Sequence, residues 1–77
     1  MTTVIKVQFK NDEKYNFCIS NTESIFKALV LLYKSLGKNN MVVFLIGEPH
    51  HITVGSKDTV NSLKIKELTT IMAIELL

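Results

Sequence analysis

The chain of 77 residues has no arginine; all nine of its basic residues are lysine. Arginine is the usual bidentate clamp on phosphate and the usual reader of guanine edges. Its absence argues against sequence-specific nucleic-acid recognition and makes nucleic acid an unlikely partner. A single cysteine, Cys18, excludes an internal disulfide and fits a reducing compartment. The three glycines, Gly37, Gly47 and Gly55, stand too far apart for a phosphate-binding loop. No apolar run approaches the ~18 residues that a bilayer span needs. The longest, "ALVLLY" and "MVVFLI", are core-sized pieces. The opening "MTTVIKVQFK" alternates instead of forming an apolar block, so no signal peptide is expected and a cytoplasmic location is. The net charge is +2.

What is present reads as a single domain over residues 1–77. In "TVIKVQFK", Ile5, Val7 and Phe9 alternate with Lys6, Gln8 and Lys10, the period of a half-buried strand. "NDEK" suits a tight turn. "YNFCIS" then alternates again, with Tyr15, Phe17 and Ile19 on one side, which predicts an antiparallel hairpin. Ser20 with Glu23 three residues on matches a capping box, and Gly37 marks a helix end. Between them Ile25, Phe26, Ala28, Leu29, Val30, Leu32, Tyr33 and Leu36 cover a wide apolar arc, with Leu31 outside it. "MVVFLI" predicts an interior strand ended by Pro49, "HITVGS" a short return strand, "KDTVNSLKIKE" a turn of helix, and "TTIMAIELL" a final strand. The only long helix must cover one face of the sheet. The expected class is α+β, a mixed sheet of four to five strands in the order β-β-α-β-β-β with one helix across one face.

The closing segment "DTVNSLKIKELTTIMAIEL" resembles the last third of ubiquitin: a polar turn, a Leu and an Ile two apart, then a Thr-led terminal strand. "MVVF" resembles the strand before it, and "NTESIFKAL" the helix start. The likeness covers nearly the whole chain as layout and scattered residues as identity. It implies a ubiquitin-like β-grasp in which the first and last strands are parallel neighbours in mid-sheet. The chain closes on Glu75-Leu76-Leu77 without the Gly-Gly tail of the conjugating and sulfur-carrying relatives, so that chemistry is not expected. In this it is similar to tail-less members such as the small cytoplasmic accessories of bacterial type VII secretion.

The final strand has two registers. In the preferred one Met72, Ile74 and Leu76 face the helix, and Glu75 goes to water beside Ile71 and Ala73; a slip of one residue reverses every side chain. With Val42, Phe44 and Ile46 in the core, the outward patch is then Val43, Leu45, Ile71 and Ala73. In ubiquitin this face is the main partner-docking surface. Lys6 and Lys10 on the first strand, and Lys64 and Lys66 before the last, would flank the patch with positive charge. The expected partner-binding residues are therefore Val43, Leu45, Ile71, Ala73, Lys6 and Lys66.

Other chemistry is sparse. On a strand, His50 and His51 point to opposite faces and cannot share a metal ion. Cys18 has no nucleophile elbow around it and is expected to be an inert, partly buried thiol. No catalytic, cofactor or metal site is expected, and no small-molecule substrate or membrane. The expectation is a non-enzymatic protein-binding module, or one that self-associates through the patch, serving as an accessory or inhibitor in a bacterial or phage setting. The alternative is a small basic nucleic-acid-associated protein using its Lys-rich surface, with affinity falling steeply in salt.

Overall fold

The alternation at the start of the chain folds as the sequence predicts. A computed structural model describes residues 1–47 and 50–76. Strands β1 (Thr2–Phe9) and β2 (Lys14–Ser20) form an antiparallel hairpin. Ile5, Val7 and Phe9 are buried on one side, while Val4, Lys6 and Gln8 lie half-buried on the other. The turn between them needs a left-handed residue, and Asp12 supplies it at φ 67°, a conformation that a short polar side chain tolerates.

Helix α1 runs Ile25–Ser35. Its cap differs from the expected one. Ser20 stays in β2, paired with Thr2, and Ser24 caps the helix instead, its hydroxyl oxygen accepting from the Lys27 N–H at 3.2 Å. The same hydroxyl donates to the Ser56 carbonyl at 2.8 Å, so this cap also ties the helix start to the segment after the short strand. Gly37, at φ 78°, takes the chain out of the helix. Ile25, Leu29 and Tyr33 are buried, and Leu31 stands exposed outside the arc.

Strands β3 (Met41–Gly47) and β4 (His50–Ile52), the short helix α2 (Val60–Leu63) and β5 (Thr70–Leu76) complete the chain. The expected stop of β3 at Pro49 lies outside the described residues. The sheet is five-stranded and mixed, in the order β2-β1-β5-β3-β4, with β1 and β5 parallel at its middle. Helix α1 packs on one face, where Ile5, Val7, Phe44 and Ile71 meet Ile25 and Leu29.

The preferred register of the last strand is overturned. Ile71 and Ala73 are in the core, at 0% and 1% exposure, and Met72, Ile74 and Leu76 alternate to the other face. The reason is size. Ala73 lies opposite Phe9 on one neighbour and Phe44 on the other, both core residues. A small side chain there leaves room for two rings, the large-small complementarity that dense cores require.

Ile71→Asp should therefore prevent folding, because it buries an unpaired charge. Ala73→Leu should fold but lose about 1–3 kcal/mol through overpacking. Ile74→Asp should stay within about 1 kcal/mol of wild type. Urea titrations of the three variants, followed by circular dichroism, check this ordering.

Candidate functional site

The register of β5 decides what the uncovered sheet face displays. Helix α1 covers the other side, so each outward residue sits in a row across the strands. One row reads Lys14, Gln8, Met72, Leu45, His51 from β2 to β4. The next places Ile74 opposite Val43, and at the strand end Leu76 opposite Met41. Val43, Leu45 and Met72 are half-buried by their lateral neighbours, while Ile74, Leu76 and Met41 are 36%, 47% and 75% exposed. The result is one contiguous apolar stripe over β5 and β3.

Val43 and Leu45 stand where the sequence puts them. Ile71 and Ala73 do not: both are core residues and are replaced on the outward face by Met72 and Ile74. Lys6 is half-buried on the outward side of β1, opposite Thr70. Lys66 is exposed in the turn before β5, where its carbonyl accepts from the Thr69 hydroxyl at 2.7 Å. Lys14, which the sequence reading did not single out, joins Lys6 on the β1–β2 flank. Cys18 is exposed on β2 opposite Val4, not partly buried. Among the described residues no three His, Cys, Asp or Glu side chains gather as metal ligands, and no helix is long and apolar enough to cross a membrane.

The other polar assembly closes the end of the core on the helix side. Glu75 faces inward, beyond Ala73, and accepts hydrogen bonds from the Tyr33 hydroxyl at 2.6 Å and the Asn40 amide at 3.3 Å. Glu13 accepts from the Tyr15 hydroxyl at 2.6 Å and from the Asn11 amide at 2.5 Å. The Lys38 ammonium bridges the two carboxylates, 3.8 Å from Glu13 and 4.0 Å from Glu75, and sits 5.0 Å from the centroid of Phe9. Phe9 in turn stacks on Tyr33 and meets Tyr15 edge-on. This clasp joins the β1–β2 turn, the segment after α1 and the end of β5. Each of its carboxylates and tyrosine hydroxyls has a hydrogen-bond or ion-pair partner within the clasp.

The hydrogen bond from Tyr33 is the main influence holding the Glu75 carboxyl below its ordinary range, helped by Asn40 and Lys38. Tyr15 does the same for Glu13, with Asn11 and Lys38 assisting. The tyrosines move up: Tyr33 chiefly through burial, then through Glu75; Tyr15 chiefly through its bond to Glu13.

No protein-family model matches the chain, and no curated protein matches it significantly. The surface and its chemistry carry the functional reading alone.

The clasp sets a pH window. A carboxylate lowered in the native state stabilises above the ordinary carboxylate range, and that contribution is lost as pH falls through its native pKa. A tyrosine raised in the native state stabilises below its ordinary pKa, and that is lost as pH rises through the native value. Stability should thus be flat near neutrality and fall at both ends. Glu75→Gln should flatten mainly the acid limb, and Tyr33→Phe both limbs, because the Tyr33 hydroxyl is also the main influence holding Glu75 low, in melting temperatures recorded across pH.

Proposed function

We propose that this chain is a ubiquitin-like β-grasp module that works by binding another protein through the outward sheet face, without catalysis. The observation that carries the reading is the stripe of Val43, Leu45, Met72, Ile74 and Leu76 on the face that α1 leaves uncovered. Contiguous exposed apolar area on a small domain usually marks an interaction site. Support for the β-grasp assignment comes from the strand order, with parallel β1 and β5 in mid-sheet, and from the single long helix across one face. These are the features that the resemblance to ubiquitin implies.

Lys6 and Lys14 border the stripe and favour a partner with acidic residues around an apolar anchor, since complementary charge speeds encounter and fixes orientation. The setting that goes with this reading is the cytoplasm of a bacterium or an infected cell, with the module as an accessory or inhibitor of a larger complex. Nucleic-acid binding is the less favoured reading. The outward face carries no Phe or Tyr among its described residues, and single-stranded binders rely on aromatic platforms for stacking.

Val43→Asp and Ile74→Asp should keep the fold and abolish association, because an unpaired charge in a desolvated interface costs several kcal/mol. Sedimentation reports self-association, and affinity capture with each variant alongside wild type reports a foreign partner. If both variants fold and associate as wild type does, the outward stripe is not the docking surface.

A further inference from the structure

The opposite layer carries a second unpartnered surface, along the flank of α1. Two open grooves, of about 450 Å³ and about 270 Å³, run beside the helix. Both are lined by Phe26, Val30 and Lys34, so they adjoin along the flank of the helix and together make a trough. One end extends past exposed Leu31 to the Gly55–Lys57 segment, and the other reaches Val42 on β3. Helix α1 has 11 residues, which makes it about 16 Å long at 1.5 Å per residue.

The charge along this trough has one sign. Lys27, Lys34, Lys38 and Lys57 line it, four of the nine lysines in the chain, and no Asp or Glu does. Lys38 is committed to Glu13 and Glu75. Among the described residues Lys27, Lys34 and Lys57 make no ion pair. The carboxylates nearest in sequence, Glu23 and Asp58, are not lining residues, and Asp58 accepts from the Ser56 hydroxyl at 2.9 Å. An apolar floor of Phe26, Val30 and Leu31 thus lies between Lys27, Lys34 and Lys57, none of which meets an acid among the described residues.

We propose that this trough docks an acidic amphipathic segment of another protein, with apolar side chains seated on Phe26, Val30 and Leu31 and carboxylates meeting Lys27, Lys34 and Lys57. Lys27 and Lys34 are two helical turns apart, about 10 Å. That spacing suits carboxylates distributed along a peptide. A fatty acid has one head group and cannot reach both cations. A nucleic-acid backbone matches the cations, but Phe26 is a single ring, and Val30 and Leu31 give successive bases no second platform to stack on. The site is independent of the sheet-face reading and makes the module bivalent, with two faces able to hold two segments at once.

The probe is a helix-forming peptide of about 12 residues with Leu at i, i+3, i+4 and i+7 and Glu elsewhere, the anchor spacing of groove-bound helices. It is titrated into the ¹⁵N-labelled protein beside a scrambled peptide of equal composition, dodecanoate and a single-stranded oligonucleotide. Shifts confined to residues 26–34, 38–42 and 55–57, with the patterned peptide binding most tightly, are the expected result. Leu31→Asp, and the pair Lys27→Glu with Lys34→Glu, all at exposed positions, should each weaken binding at least about tenfold. Ile74→Asp should leave it unchanged, which separates this site from the outward stripe. The proposal is overturned by shifts at Leu45, Met72 and Ile74 on the outward sheet face, by equal binding of the scrambled peptide, by tighter binding of dodecanoate or the oligonucleotide, or by unchanged affinity in the trough variants.

Discussion

The hydrogen bond from Tyr33 to Glu75 spans 42 residues of sequence and joins the helix to the last strand. Much of the molecule depends on it. A carboxylate on the helix side of a sheet would be costly if left unpaired. Here the Tyr33 hydroxyl, the Asn40 amide and the Lys38 ammonium receive it, at the open end of the core where water still reaches. With Glu75 turned inward, the period of two along β5 sends Ala73 and Ile71 inward as well. Met72, Ile74 and Leu76 are thereby committed to the other face. A polar contact at the rim of the core and an apolar stripe on the opposite face are two consequences of one register.

The core agrees with that register independently. Ala73 sits between Phe9 and Phe44, and Ile71 faces Val7, so the central strand presents its smallest inward side chain where its neighbours present rings. Phe9 also stacks on Tyr33, the donor to Glu75, and lies under Lys38. Packing and polar pairing thus reinforce each other at the same end of the sheet. The two layers then divide the lysines. Lys6 and Lys14 lie beside the outward stripe, and Lys27, Lys34 and Lys57 line the helix-flank trough. Each surface joins apolar contact area to positive charge, the combination on which the proposed docking of acidic segments rests.

Much of the fold was legible in the sequence. The hairpin followed from strict alternation, the helix from its arc and from Gly37, and the parallel pairing of β1 with β5 from element order and the resemblance to ubiquitin. The register of β5 was not legible in its own seven residues, because both of its alternating faces are apolar. The rule that sends a carboxylate to water then chose wrongly, since the groups that satisfy Glu75 lie far away in sequence. The size of Ala73 beside two phenylalanines was the available signal. The helix cap was misread for a similar reason: Ser20 and Glu23 satisfy the spacing, but the ladder with Thr2 keeps Ser20 in the strand. The outward placement of Val43 and Leu45 was legible from alternation with Phe44 in the core. The trough was missed because it joins α1 to the Gly55–Lys57 segment, a contact that no local pattern encodes.

The orientation of β5 is the claim on which both the clasp and the outward stripe rest. Methyl-resolved NMR with a soluble gadolinium complex reads it directly in the unmodified protein. The Ile74 methyls and those of Leu45 and Met72 should relax strongly as the complex is added, while those of Ile71 and Ala73 should stay as protected as the methyls of Ile5. Strong relaxation at Ile71 with protection at Ile74 would contradict the inward placement of Glu75 and everything built on it.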